Sequence, residues 1–289
     1  MRAFAASGPD GIMARCLQEA SASVVPILCH LFQRMLHEGV HPASWRTARV
    51  LPVPKPGGDP YAAKGYRPIA LLSVLSKLME GLVKDRLSYL LESRQSLSDC
   101  QQGFRQARST DLALWRFVTS ASLALKTRRR CVAVALDIQS AYDTVDHVAL
   151  LWKLREKGVP RYLVAWIRAF LAPRTAQLVV NESAYPFDIS VGVPQGSPLS
   201  PTLFLVFVDD LLQDLERIVR LQAFADDILL WDIMTYRGSC PPRVQEALRI
   251  VEAWSQEWGL TFNVAKCQAI DISTLRQRSS LELRMHDAW

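Results

Sequence analysis

Residues 221–231 have the sequence Leu-Gln-Ala-Phe-Ala-Asp-Asp-Ile-Leu-Leu-Trp, in which apolar residues enclose Asp226 and Asp227 on both sides. Short apolar runs are typical of strands, and an Asp pair between two of them indicates a tight turn. Turns attract Asp for backbone reasons, so the pair alone is weak evidence of chemistry. Turns that face solvent seldom lie within apolar flanks, however. The stretch therefore predicts a hairpin with two functional carboxylates at its tip.

A third carboxylate ends the apolar run at residues 131–137, Cys-Val-Ala-Val-Ala-Leu-Asp. A continuous run of this kind predicts a buried strand. If this strand and the hairpin are neighbours in one sheet, Asp137 converges with Asp226 and Asp227 at one rim. Gathered carboxylates repel one another, and a divalent cation relieves the repulsion. Such oxygen ligands suit Mg²⁺, and two ions about 4 Å apart promote in-line phosphoryl displacement.

A second acidic pair, Asp209 and Asp210, lies inside the helical pattern at residues 202–217. An Asp pair is common in sequences, and this one has no strand on either side. We interpret it as part of a solvated helix face and not as a catalytic pair.

The composition is typical of a folded chain: 289 residues, 49% of them hydrophobic, bury one sizeable core or two lobes. The longest apolar stretches are far shorter than the roughly 20 residues of a membrane-spanning helix, so we expect no membrane association. Six cysteines without metal-ligand spacing, and no visible signal peptide, predict an intracellular protein, cytoplasmic or nuclear. A net charge of +6 is compatible with a polyanionic partner.

The order of elements predicts an α+β fold. Helical spacing dominates the first 45 residues, residues 73–91 and residues 110–126, and a region of order β-α-α-β-β-α-β-β-α-β begins at residue 131. Residues 51–58, Leu-Pro-Val-Pro-Lys-Pro-Gly-Gly, disfavour a helix and a central strand. We expect an edge segment or loop there that presents Lys55.

Three segments resemble the catalytic boxes of reverse transcriptases, and they occur in the order of that family. Residues 136–143, Leu-Asp-Ile-Gln-Ser-Ala-Tyr-Asp, are similar to the first box, residues 192–201, Gly-Val-Pro-Gln-Gly-Ser-Pro-Leu-Ser-Pro, to the middle box, and residues 224–227, Phe-Ala-Asp-Asp, to the aromatic-x-Asp-Asp box. Further segments resemble the non-LTR, LINE-like retrotransposon branch: residues 8–12, 52–57, 66–69, 102–105, 109–110 and 258–260, with Asn263 and Lys266. The resemblance covers residues 8 to 270, nearly the whole chain.

The resemblance implies an RNA-directed DNA polymerase with an antiparallel right-hand palm and mostly helical fingers. Its catalytic residues would be Asp137, Asp226 and Asp227. They would hold two Mg²⁺ ions, with the backbone carbonyl of Ile138 as an additional ligand and Mn²⁺ as a substitute ion. Lys266 matches the family lysine that assists proton transfer near the triphosphate.

The same resemblance implies residues that bind substrates, namely an RNA template, a DNA primer and dNTPs. Lys55 and Arg67 would bind the incoming triphosphate, Arg as a fork and Lys as a point charge. Tyr142 would block a ribose 2′-OH. Gln195 and Gly196 would contact the template and the nascent base pair.

The resemblance also suggests a division of the chain. We expect fingers with an N-terminal helical extension at residues 1–130, a palm at residues 131–275 with fingers partly interleaved around residues 144–180, and the start of a thumb or a tail at residues 276–289. With 17 residues after Ile272, we expect the thumb to be largely missing and synthesis to be weakly processive or unmeasurable. An endonuclease and a thumb are expected in a full-length element, of whose polyprotein this chain would be a fragment.

Three alternatives are open at this point. A group II intron or retron reverse transcriptase would share the palm chemistry. An RNA-dependent RNA polymerase would share the aspartates but would not need Tyr142 against a 2′-OH. A catalytically silent polymerase-like fragment that binds RNA would keep the fold without the chemistry.

Overall fold

The computed structural model describes residues 6–62, 65–180, 183–235, 240–274 and 281–285. In chain order the elements are α1 (Ala14–Glu19), α2 (Ser21–Glu38), a 3-10 turn (Ala43–Trp45), β1 (Thr47–Pro54), β2 (Tyr66–Leu71), α3 (Val74–Ser93), α4 (Thr110–Lys126), β3 (Arg130–Asp137), α5 (His147–Glu156), α6 (Arg161–Leu171), β4 (Arg174–Val180), β5 (Ser183–Ile189), α7 (Ser200–Glu216), β6 (Arg220–Phe224), β7 (Asp227–Met234), α8 (Pro242–Trp258) and β8 (Gln268–Ile272). The order predicted from β3 onward is confirmed.

The chain forms two compact units, each built from two stretches of sequence. The first unit contains Met1–Arg94 and Val145–Leu203, and the second contains Gln95–Thr144 and Phe204–Trp289. Each unit has its own four-stranded sheet. The fold is therefore α+β, with sheets that are antiparallel except at one strand pair, and with helices packed on them.

The sheet of the first unit has the strand order β2-β1-β4-β5. Strand β1 is antiparallel to β2 and parallel to β4. The prediction of an edge segment or loop at residues 51–58 was therefore wrong for residues 51–54, which belong to this inner strand. The prolines are tolerated because β4 pairs only with Thr47–Val50, so Pro52 and Pro54 lie past that pairing, where a missing N–H leaves no strand partner unsatisfied.

Two helices of the first unit show why the sequence forms them. Helix α2 ends where Gly39 adopts the left-handed conformation, with φ of 66°, and donates its amide to Met35. Helix α3 begins after Ser73, whose hydroxyl accepts the amide of Ser76. The start of α3 agrees with the helix predicted at residues 73–91, and α2 lies within the first 45 residues, where helical spacing was predicted.

The sheet of the second unit has the order β6-β7-β3-β8 and is antiparallel throughout. Strand β3 is central, and Cys131 to Val134 are fully buried. Helix α4 packs on β3, β6 and β7 through Ala121 and Ala124, which form an apolar cluster with Trp231, and α8 contacts β3 and β7. This position between helices explains the continuous apolar run, because a strand covered on both faces needs no polar side.

The acidic pair in α7 differs from its prediction in one respect. Asp209 is 1% exposed, and its carboxylate accepts hydrogen bonds from the Ser98 amide and from Gln213 Nε2, each at 2.7 Å. Asp210 accepts the indole N–H of Trp254 at 3.2 Å. The interpretation as a solvated helix face was therefore wrong, since the two side chains bind neighbouring segments of the unit.

None of the helices in the described ranges is long and apolar enough to cross a membrane. The predicted tail at residues 276–289 lies outside the described residues, apart from residues 281–285.

Candidate functional site

The ends of β3 and β7 bring two of the predicted carboxylates together in the second unit. The strands pair without interruption from Arg130 and Met234 to Asp137 and Asp227, which are the last partners in the register. Side chains of directly opposed residues on adjacent antiparallel strands have Cβ atoms about 5 Å apart. Asp137 and Asp227 are therefore neighbours at the rim of the sheet, as the sequence predicted.

Asp226 lies in the tight turn between β6 and β7. The turn is closed by Ala225, a non-glycine residue with φ of 59°, which is a left-handed conformation that L residues seldom adopt. The turn therefore keeps an energetically unfavourable backbone conformation at the point where the carboxylates meet.

Burial raises the pKa of the Asp226 carboxyl above its usual range. A backbone hydrogen bond at Asp226 itself lowers the pKa, and the charges of Asp227 and Asp137 raise it again. The ammonium group of Lys266 lowers it. The three carboxylates therefore act on one another electrostatically, and the net field disfavours a third negative charge.

Lys266 reaches the carboxylates from the segment that follows α8. Its Nζ lies 3.2 Å from Asp137 Oδ2. The backbone fixes this approach, because the Asn263 amide donates to the Asp137 carbonyl at 2.8 Å and the Lys266 amide donates to Asn263. Ile138, whose carbonyl was predicted as a metal ligand, is buried and forms a β-bridge with Phe262 in the same segment.

The carboxylates suit a hard divalent cation by chemistry and charge, since all are oxygen donors and since burial, together with the charges of Asp227 and Asp137, raises the pKa of Asp226. Within the described ranges, however, no three His, Cys, Asp or Glu side chains form a group that could hold a metal ion. The prediction that the carboxylates converge is confirmed by the register of β3 and β7. The described side chains do not, however, form an assembled set of metal ligands. Gathered carboxylates repel one another, and the ion pair between Lys266 and Asp137 reduces this repulsion.

Tyr142 lies close to the same carboxylates. Its ring stacks on Phe204, with centroids 5.3 Å apart and planes at 26°. Burial raises the pKa of the Tyr142 hydroxyl to about 12, and the charge of Asp226 contributes in the same direction. The phenol is therefore held beside Asp226 by an aromatic contact rather than left free in solvent.

The remaining predicted residues lie in the first unit. Val53 on β1 pairs with Arg67 on β2, and Lys55 follows directly after the end of β1, so the two cations occupy the same end of one strand pair. Both residues are exposed. This placement presents both positive charges at the surface of the unit, where a polyanion can approach them.

The middle box forms a loop against β2. The Gln195 carbonyl accepts the amide of Ala70 at 3.2 Å. Gly196 has φ of 115°, and a Cβ there would lie 2.6 Å from the Ala70 carbonyl oxygen, so only glycine fits. The strand that carries Arg67 and the loop that carries Gln195 and Gly196 are therefore in direct contact.

Sequence reasoning missed one residue of the site, Gln101. Its Oε1 accepts the amides of Gly103 and Ala225, each at 2.9 Å, and its Nε2 donates to the Ala225 carbonyl at 3.1 Å. It thus binds both backbone polar groups of the strained residue next to Asp226. The resemblance began one position later, at residue 102, and nothing else in the sequence marks Gln101.

Gly103 shows how closely this segment approaches the turn. A Cβ at Gly103 would lie 2.4 Å from the Ala225 nitrogen, which no side chain tolerates. The Gln102 amide also donates to the Ala223 carbonyl at 2.7 Å. The polar segment before α4 therefore packs against the β6–β7 turn and stabilises its backbone.

Comparison with known proteins agrees with this geometry. The chain is 32% identical over 272 residues to the RNA-directed DNA polymerase from mobile element jockey of Drosophila melanogaster and 31% identical over 270 residues to that of Drosophila funebris. Each match covers 91% of this chain and 29% of the relative, so the chain spans less than a third of these proteins. The predicted resemblance to retrotransposon polymerases is confirmed.

Solved structures agree on the fold. Apo telomerase from Candida tropicalis, truncated from its C-terminal domain, has a TM-score of 0.57 at 15% identity, covering 82% of this chain and 52% of that one. Telomerase from Candida albicans, in complex with a fragment of telomeric RNA, has a TM-score of 0.58 at 12% identity, covering 86% and 46%. A family model described as "Reverse transcriptase (RNA-dependent DNA polymerase)" matches residues 53–280. The chain belongs to the reverse transcriptase family.

Proposed function

We propose that this chain is the polymerase core of a retrotransposon reverse transcriptase, which joins a dNTP to the 3′-OH of a DNA primer on an RNA template. The observation that carries the proposal is the register of β3 and β7, which ends with Asp137 opposite Asp227. Family membership supports the same reaction. The relatives are more than three times longer than this chain.

The proposed ligands of the divalent ions are Asp137, Asp226 and Asp227, with the carbonyl of Ile138. Two Mg²⁺ ions, or Mn²⁺ in their place, would supply activation of the primer hydroxyl and stabilisation of the leaving oxygen. The raised pKa of Asp226 supports this assignment, because a carboxylate destabilised by burial and by neighbouring negative charge is stabilised by a cation.

We assign the other residues to substrate positioning. Lys55 and Arg67 would bind the phosphates of the dNTP, where a guanidinium supplies two parallel hydrogen bonds. Tyr142 would exclude a ribose 2′-OH by its bulk. Lys266 would hold a proton near the triphosphate, a role that its contact with Asp137 supports.

The template side is proposed for the middle-box loop. The close approach of the Ala70 backbone requires glycine at position 196, next to Gln195. Small residues at such a position allow a duplex to come close. We also propose fingers at residues 1–130 and a palm at residues 131–275. The sheet with the carboxylates supports the palm assignment.

Primer extension with Asp226→Asn tests the proposal. The purified chain, a DNA primer annealed to RNA, dNTPs and Mg²⁺ should give extension that the variant reduces by about 100-fold or more, because one ligand and its charge are lost. Asp214→Asn is the matched control: this acid is half-buried on α7, pairs with Arg217 and should leave extension unchanged. The addition of a single nucleotide is scored, since it needs no processivity. A folded wild-type chain that adds none would favour the silent RNA-binding alternative, and an active Asp226→Asn variant would disprove the site.

A further inference from the structure

A groove on the first unit carries a concentration of arginine and contains no residue of the three catalytic boxes. It runs along α6 beside the end of α2 and the turn between α5 and α6, with a volume of about 1110 Å³. Arg155, Arg161 and Arg168 line it. We call it the arginine groove.

The three guanidinium groups are available to bind a ligand. Arg155, Arg161 and Arg168 are exposed, and within the described part of the chain none of them forms an ion pair. Arg161 and Arg168 are seven residues apart on one helix, so they share a face with Cα atoms about 10.5 Å apart. This spacing favours an extended ligand with repeated negative charge over a single small anion.

A fourth guanidinium lies at the end of the groove. Arg94 Nη1 donates to the Gly158 carbonyl at 2.7 Å, and Gly158 lines the groove. The residues that line the groove include no Asp or Glu. The charged side chains that line the groove are therefore all positive.

Small residues line part of the groove. Gly39, Ala165 and Ala169 line it, and a Cβ at Gly39 would lie 3.0 Å from the Ala165 Cβ, so α2 and α6 are in close contact there. These three residues have little or no side chain, which leaves room for a polymer backbone beside the guanidinium groups. Arginine presents a planar fork that matches the geometry of phosphate oxygens.

We propose that the arginine groove binds the phosphodiester backbone of single-stranded RNA, as a site additional to the candidate active site. The choice of RNA as the polyanion rests on the proposed function. Contacts to phosphates carry no sequence information, which suits an enzyme that must accept any stretch of its template. The groove would hold RNA through charge, independently of the divalent ions and of the dNTP.

The test is RNA binding by the whole chain in EDTA without dNTPs. Fluorescent oligouridylate of about 20 nucleotides is titrated with wild type and with the triple variant Arg155→Gln, Arg161→Gln, Arg168→Gln at salt concentrations from about 50 to 200 mM. Each lost phosphate contact on a single strand reduces the slope of log K against log salt by about 0.7. We expect a reduction of about 2 in that slope and at least a tenfold weaker Kd at the lowest salt.

The matched control removes the same charge from elsewhere on the same unit. Arg15, Arg34 and Lys84 pair with Glu19, Glu38 and Asp85. Their triple change to Gln should alter the slope by less than half as much as the groove variant does. If both triple variants change it equally, net charge explains the binding and the proposal is wrong.

Two further arms identify the ligand. Oligoadenylate should bind as oligouridylate does, because backbone contacts ignore the base. Polyglutamate of equal charge should compete weakly, and equal competition by it would overturn the assignment to a phosphodiester in favour of an acidic polypeptide. Because no arm needs catalysis, a chain without polymerase activity still tests the groove, and Asp226→Asn should show the same dependence on its arginines.

Discussion

Asp137 on β3 and Asp227 on β7 are directly opposite each other, at the last paired position of two antiparallel strands. The uninterrupted pairing of the two strands holds these carboxylates together before any ion or substrate arrives. Asp226 lies next to them in a turn whose backbone conformation is unfavourable. The fold therefore concentrates negative charge at one rim of the sheet although this lowers its stability, which is typical of a functional site.

Replacing Asp226 by Asn should stabilise the metal-free chain at neutral pH. Burial and the neighbouring carboxylates raise the pKa of Asp226 above its unfolded value. A carboxyl with a raised pKa holds its proton more tightly in the folded state, so stability falls as the pH rises from the unfolded pKa through the folded pKa. Urea unfolding in EDTA at about pH 4 and about pH 7 should show a larger advantage for Asp226→Asn at the higher pH.

Magnesium should reverse that order. An ion that binds only the folded state raises the free energy of unfolding of the wild type, and Asp226→Asn should lose most of this gain. Calcium-free buffers with increasing MgCl₂ give the measurement. An advantage of Asp226→Asn that is the same at both pH values would contradict the raised pKa of Asp226. An equal response of both proteins to MgCl₂ would contradict the assignment of Asp226 as a ligand.

Tyr142 should control the choice between dNTPs and rNTPs. Its ring is fixed on Phe204 and lies close enough to Asp226 for that charge to raise its pKa. Tyr142→Ala should therefore lower the ratio of dNTP to rNTP incorporation by about tenfold or more, as expected when a steric contact of about 1–3 kcal/mol is removed. Tyr142→Phe keeps the ring and should keep the ratio, and a ratio unchanged in Tyr142→Ala would assign the ring to packing alone.

The buried ion pair between Arg130 and Asp271 should matter for stability and not for chemistry. The side chains are 4% and 14% exposed, and Arg130 Nε donates to Asp271 Oδ2 at 3.0 Å, joining β3 to the edge strand β8. Asp271→Ala removes the carboxylate that faces a buried guanidinium and should lower the free energy of unfolding by about 3 kcal/mol. Asp214→Ala breaks the more exposed pair with Arg217 and should cost less than about 1 kcal/mol. Equal losses in the two variants would refute the difference in burial as the cause.

The elements of the second unit could be predicted because each has a local signal. The run that ends in Asp137 is apolar throughout, as a strand covered on both faces must be, and the Asp226 turn interrupts a similar run. Whether these strands are neighbours is a long-range fact, and only the order of the three boxes indicated it. The register that sets Asp137 against Asp227 came from the structure.

The errors have the same physical origin. An acid in a helical pattern is usually solvated, yet Asp209 binds an amide 111 residues away in sequence. The prolines of β1 argued against an inner strand, yet β4 pairs only with the part of β1 before them. Such partners are invisible to periodicity, which reports the environment of a segment and not the identity of its neighbours.

Gln101 should be a positioning residue for the carboxylates. Its side chain makes three hydrogen bonds to the backbone of Gly103 and Ala225, and Gln101 is 1% exposed. Gln101→Ala leaves these buried groups unsatisfied and should lower the free energy of unfolding by about 3 kcal/mol. It should also lower kcat of primer extension by about tenfold or more, because the turn that carries Asp226 loses the hydrogen bonds that hold it in place.

Substitution of the neighbouring Gln102 is the control that separates an effect on the position of the carboxylates from an effect on stability. It is equally buried, but its Nε2 donates to the Asp99 carbonyl, away from the turn. Gln102→Ala should therefore destabilise the chain while leaving kcat within about twofold at a temperature where both variants are folded. For Gln101→Ala we expect a lower kcat with little change in KM for the dNTP. A defect in dNTP binding would instead raise KM. If the two variants lose kcat in proportion to their loss of stability, Gln101 contributes to folding only, and the left-handed conformation of Ala225 persists without its help.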